Sequence, residues 1–197
     1  MPPQTFLILK TASQTKDHIM KALIFALALA LPTTAAFAAG SSSDEAPKKT
    51  KTSTECKDGK VWDKETKECL DAKSDLLTDD ARYQAARELA YSGRYAQAQT
   101  VLASMSDQTD SRVLTYYGFT HRRAGDIELG MKYYNQALAA DPDNLLARSY
   151  MGQGYVEQGQ MDQARIQLVE INARGGKGTW SQVSLANALE SGVGYSY

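Results

Sequence analysis

Two cysteines, Cys56 and Cys69, and two histidines, His18 and His121, are all that this 197-residue chain offers for metal or thiol chemistry. A redox dithiol needs its cysteines two residues apart, and a structural zinc needs four ligands, so neither centre is indicated. The run Gly175-Gly176-Lys177-Gly178 lacks the spacing and the preceding strand of a phosphate-cradling loop. No pair of histidines accompanies a glutamate, and no nucleophile stands beside a base. The residues therefore argue against an enzyme and call for no metal or cofactor. What remains is the chemistry of contact. Trp62 lies between the cysteines, and Tyr83, Arg87 and Tyr91 recur every four residues, which places them on one helix face. Phe119 with Arg122 and Arg123 continues the same aromatic and cationic theme.

The elements that position these groups begin with the cysteine segment, CKDGKVWDKETKEC. Turn residues at Asp58-Gly59 and again at 63–66 flank Val61-Trp62, the pattern of a small β-hairpin over 56–70. So short a hairpin needs a cross-link to persist. In an exported protein the economical reading is a Cys56–Cys69 disulfide, which contributes about 3 kcal/mol in the chain-entropy model. Trp62 is expected to pack over that bridge; stacking on a glycan is the alternative.

Export is read from the start of the chain. Met20-Lys21, the apolar run Ala22–Leu31, Pro32 and Ala36-Phe37-Ala38 have the order of a secretory signal peptide. Cleavage is expected after Ala38, or after Gly40 nearby, with Met20 as the true start. Residues 1–38 are thus an upstream extension plus a removed signal. The apolar run falls short of the roughly 20 residues of a membrane span, so no stable insertion is expected after cleavage. Residues 39–55, rich in Ser, Thr, Lys and Pro, read as a flexible linker, and 71–78 as a second one. The formal net charge of −1 gives no footprint for nucleic acid.

The remainder is periodic. Gly118 and Gly152 lie 34 residues apart, as do Gly125 and Gly159. Such a period describes stacked helical hairpins, none able to bury its apolar face alone. Repeats are expected over 79–110, 111–144 and 145–178, with a capping helix over 179–191 and a tail over 192–197. Gly93, Gly125 and Gly159 mark the hairpin turns, Asp126, Asn144 and Asp162 the helix starts, and Gly192 the last stop. Gly118 and Gly152 sit mid-helix, where a close helix approach would justify them. Tyr117, Tyr134, Met151, Tyr155 and Leu168 are expected to fill the seams, and Trp180 to close the core.

Residues 111–144 resemble a tetratricopeptide repeat through Leu114, Tyr117, Gly118 and His121, then Gly130, Tyr134, Ala137 and Pro142. The next unit follows with Arg148, Met151, Gly152 and Tyr155, then Ala164, Leu168 and Ile171, with Gly176 in place of the proline. The first unit is the most degenerate and two residues short. The cysteine segment resembles short hairpins near the start of exported bacterial proteins, and one loop of small chitin-binding modules whose further cysteines it lacks.

The resemblance implies an all-α solenoid of three helix-turn-helix repeats with a C-terminal capping helix, behind a disulfide-closed hairpin. It also implies a concave binding face on the first helix of each repeat. Carried over by position, that face comprises Tyr83, Arg87, Tyr91, Arg112, Thr115, Phe119, Arg122, Arg123, Leu146, Ser149 and Gln153. The lysine and asparagine clamp that some members use for a C-terminal carboxylate is missing, since Tyr83, Arg87, Tyr116, Leu146 and Tyr150 stand in its place. The expected function is a non-catalytic scaffold in the periplasm of a Gram-negative-type bacterium, holding a peptide or helix of an envelope protein. The alternative is envelope glycan (peptidoglycan) binding through Trp62, with the repeats as a spacer.

Overall fold

Local chemistry starts most of the helices. Thr78, Asp110, Asp126, Asn144 and Thr179 each turn a side-chain oxygen onto a first-turn N–H, satisfying donors that a helix leaves orphaned. The computed structural model describes residues 49–194, so the expectations for 1–48 and 195–197 lie outside the described residues. A one-turn helix α1 (Lys51–Thr54) leads into β1 (Val61–Asp63) and β2 (Glu68–Leu70). Six helices follow as three hairpins: α2 (Asp79–Tyr91) with α3 (Tyr95–Leu102), α4 (Ser111–Arg123) with α5 (Ile127–Ala140), and α6 (Leu145–Glu157) with α7 (Met161–Ala173). The chain then forms α8 (Trp180–Ser191), so the described fold is the expected helical solenoid with its cap.

Gly93, Gly125 and Gly159 close the three hairpins with φ of +75°, +100° and +72°, a region open to glycine and strained for other residues. Gly118 permits contact between α4 and α5: a β-carbon there would stand 2.5 Å from the Tyr134 ring. Gly152 serves a different neighbour from the one its repeat suggests. Its β-carbon would meet Leu185 of α8 at 2.6 Å, so this glycine admits the cap and not α7. Asp162 also departs from expectation. The residue before α7 is Gln160, which makes no side-chain cap, and Asp162 pairs with Arg165 inside the first turn at 2.8 Å.

The core is strongly aromatic. Tyr83, Tyr116, Phe119, Tyr134 and Tyr150 are buried with Leu89, Val101, Leu102 and Val113. Val156, Ala164 and Ala188 form a smaller cluster where α8 meets α6 and α7. Of the seam residues, Tyr134 and Met151 are buried, whereas Tyr117, Tyr155 and Leu168 are only half-covered. Tyr117 instead stacks on Tyr133 at 5.2 Å, and His121 lies against the same ring at 5.4 Å.

The hairpin pairs Trp62 with Cys69 and Asp63 with Glu68, and the Cys56–Cys69 disulfide closes it with its Cα atoms 5.6 Å apart. Of the expected linker only its end, from residue 49, is described, and that end is held against the first repeat. The Glu88 carboxylate, from α2, accepts from Thr50 N at 2.6 Å, Thr50 Oγ1 at 2.5 Å, Ser53 N at 3.0 Å and Ser53 Oγ. Arg94 donates to the carbonyls of Ser53 and Cys56 at 3.2 and 3.0 Å. An acid at the start of this turn and a guanidinium at its end match the charge that backbone groups present there. The second linker is also held, with Ala72 and Leu77 buried and Arg82 donating to the carbonyls of Ala72 and Ser74.

Candidate functional site

The first helices of the three repeats, α2, α4 and α6, bring the expected binding residues into one layer, with most of them inside it. Tyr83, Arg87, Thr115, Phe119, Arg122, Leu146, Ser149 and Gln153 are all buried; Tyr91, Arg112 and Arg123 are partly exposed. The physical reason is aromatic packing. Tyr83 meets Tyr116 edge-on at 5.6 Å, Phe119 lies 4.8 Å from Tyr150, and Tyr91 stacks on Phe119 at 5.6 Å. Trp180 of α8 lies 6.4 Å from Tyr91 and 6.1 Å from Tyr150, so the cap joins this layer. The binding face that the resemblance implied, with its aromatic and cationic side chains, is therefore largely filled by its own residues.

Buried cations are tolerated here because tyrosines and one carboxylate receive them. Arg87 donates through Nε to the Tyr116 hydroxyl at 3.1 Å and through Nη1 to Gln84 Oε1 at 2.9 Å. Desolvation presses the Arg87 pKa down, but Tyr116 and its hydrogen bond outweigh it and the value rises. Arg122 donates to Glu157 at 2.5 Å and to the Tyr134 hydroxyl at 3.3 Å. Desolvation opposes its charge as well, and Tyr134 with Glu157 again prevails. Burial, only partly offset by Arg122, pushes the Tyr134 phenol up to about 12. Burial likewise raises Tyr83, whose hydroxyl has no hydrogen-bond partner among the described residues.

The polar side chains of α6 serve the seam with α8 and the neighbouring caps. Gln153 Nε2 donates to Ser184 Oγ at 2.9 Å, and its Oε1 finds no partner among the described residues. Thr115 Oγ1 donates to the Ser111 carbonyl and accepts from Asn144 Nδ2, tying the start of α6 to the start of α4. At the margins, Arg112 forks onto Asp110 at 2.8 Å with Asp80 at 3.8 Å, while Arg123 reaches Glu157 at 4.0 Å. These two arginines and Tyr91 are the expected contacts that retain accessible surface.

A second feature had only Trp62 to announce it in the sequence. A cleft of about 780 Å³ opens between the disulfide hairpin and α2. Trp62, Asp63 and Glu65 line one side, and Asp80, Gln84 and Arg87 the other, with Leu76 and Leu77 between. Trp62 is half-exposed and Lys51 Nζ lies 4.4 Å from its ring centroid. No periodicity marks Asp80 or Gln84 as partners of Trp62, because the hairpin reaches α2 through contacts between distant parts of the chain, with Val61 in the shared core and Glu88 holding Thr50 and Ser53.

Among the described residues no group of three or more His, Cys, Asp or Glu side chains converges to hold a metal ion. Nor is any described helix long and apolar enough to cross a membrane.

A family profile described as Tetratricopeptide repeat matches residues 121–183, from the last turn of α4 into the first turn of α8. No curated protein and no solved structure matches the chain. The match carries α8 into the repeat pattern. The capping residues Asp110, Asn144 and Thr179 follow one another at 34 and 35 residues, which places α8 in the register of a first helix after the third repeat. The matched segment runs from the second hairpin through the third into α8, so residues 121–183 are tetratricopeptide repeats, and the described fold is a solenoid of such helical hairpins.

Proposed function

We propose that this protein is a non-catalytic scaffold of the periplasm of a Gram-negative-type bacterium, holding a peptide or helix of an envelope protein along its repeats. The observation that carries the reading is the helical repeat array itself, since tetratricopeptide repeats bind protein partners. The signal-like order of Met20 to Ala38 supports export, and the Cys56–Cys69 disulfide suits an oxidising compartment. The buried Tyr83, Arg87, Phe119 and Arg122 act as the frame of the face. Tyr91, Arg112 and Arg123 are the positions left to touch a partner, and tyrosine and arginine are the residue types enriched at binding hot spots.

The test is photo-crosslinking in the native host from Tyr91, Arg112 and Arg123, with identification of the captured protein. The variant Arg112→Ala/Arg123→Ala should lose most of the crosslink while its unfolding midpoint changes little, because both guanidiniums are partly solvated. Equal capture by that variant removes this face from the reading. Release of a processed chain beginning near Ala39 by osmotic shock tests the location.

A further inference from the structure

We propose that the cleft between the disulfide hairpin and α2 is a binding site for a neutral oligosaccharide. It is distinct from the repeat face, and it makes the first repeat one wall of the site where the sequence suggested only a spacer. Its volume of about 780 Å³ falls within the range of small-ligand sites, roughly 300–1,000 Å³. The walls are set in advance: Glu88 of α2 and Arg94 before α3 clamp the segment before the hairpin onto the first repeat, and the disulfide closes the hairpin itself.

The chemistry of the walls selects the ligand. Trp62 presents a large apolar ring carrying one N–H donor, suited to the C–H face and the hydroxyls of a pyranose. Across the cleft the exposed Gln84 amide both donates and accepts, and the Asp80 carboxylate, its side chain 77% exposed, accepts from hydroxyl donors. The lining carries four carboxylates, Asp63, Glu65, Asp80 and Glu88, against Lys64 and Arg87, so it disfavours an anion and offers acceptors to hydroxyl donors. A peptide fits less well. The backbone N–H of Trp62, on the outer edge of β1, already donates to Thr52 Oγ1 at 3.1 Å, which blocks an added strand.

The experiment uses the processed full chain with its disulfide intact. The indole N–H resonances of Trp62 and Trp180 are followed by NMR during titration with tetra-N-acetylchitotetraose and, separately, cellotetraose. At least one should shift the Trp62 signal saturably and leave Trp180 in place. Trp62→Ala should weaken that binding about tenfold, the value of a lost aromatic contact. Gln84→Ala, at an exposed helix position, should weaken it about three- to fivefold, the value of one hydrogen bond. Absence of a saturable Trp62 shift with both sugars to millimolar concentration overturns the proposal. So does undiminished binding by Gln84→Ala and Trp62→Ala, or a saturable Trp62 shift with a Gly-Ser octapeptide alone.

Discussion

Replacing Glu157 by alanine tests how the buried cations are held. Arg122 has a side chain only 1% exposed, and its charge is met by Glu157 at 2.5 Å and by the neutral Tyr134 hydroxyl at 3.3 Å. Removing the carboxylate leaves a guanidinium in the interior with a single neutral acceptor. Breaking one side of a buried pair costs about 3–5 kcal/mol. The Glu157 side chain is itself 23% exposed, so water can enter beside Arg122 and the lower end of that range, about 3 kcal/mol, applies. The second ion pair lost, to Arg123 at 4.0 Å and partly solvated, adds at most a few tenths of a kcal/mol. For a domain of this size about 3 kcal/mol lowers the melting midpoint by roughly 6–12 °C. Chemical denaturation followed by circular dichroism gives the loss, and the cycle with Arg122→Met isolates the pair. A coupling energy above about 1.5 kcal/mol is expected. Added salt should leave it nearly unchanged, because the pair lies inside. A coupling below about 0.5 kcal/mol would show that water already reaches Arg122, and the account of the buried layer would fail.

Three further perturbations probe the remaining devices. Glu88→Ala should free the segment before the hairpin, costing about 2 kcal/mol as its charge-assisted hydrogen bonds are lost; trypsin cleavage after Lys51 should accelerate, and an unchanged rate refutes the clamp. Cys56→Ser/Cys69→Ser should cost the hairpin about 3 kcal/mol while the helical circular dichroism persists, since all three repeats lie outside the closed loop. Asp79 contributes to the acid pH dependence, alongside Asp63 and Asp107, whose hydrogen bonds also hold their carboxyls below the ordinary value. Hydrogen bonds from the Ser106 side chain, then its backbone, hold the Asp79 pKa below its ordinary 3.8. A depressed native pKa contributes stability that is present above 3.8 and lost as pH falls through the native value. Asp79→Asn should therefore flatten stability against pH below about pH 4, as read from denaturation midpoints; an unaltered acid slope rejects this role.

How far the chain could be read in advance follows the range of each interaction. The glycines at 93, 125 and 159, the caps Asp126 and Asn144, and the stop at Gly192 were legible because each acts on a backbone within four residues of itself. Asp162 misled for the same local reason: an acid just inside a helix start looks in sequence like the residue that caps it. The 34-residue recurrence of Gly118 and Gly152 disclosed the repeats, yet not their neighbours, since Tyr134 confronts one and Leu185 of the cap the other. Tyr83, Arg87 and Tyr91 were correctly placed on one face of α2. Which of them met solvent depended on α4, α6 and α8 arriving opposite.

By itself, then, the sequence determined the hairpin helices, their turns, their count and the disulfide-closed β-hairpin, all consequences of short-range backbone chemistry and a fixed period. The tertiary structure alone decided that Arg87 and Arg122 would be interior residues, because their burial depends on the rings of Tyr116 and Tyr134, which belong to other helices. It decided too that Glu88 would grip Thr50 across 38 residues, and so that Trp62 and Gln84 would share a cleft. Contacts between distant parts of the chain leave no period in sequence, and the accessible sites of this protein are set by those contacts.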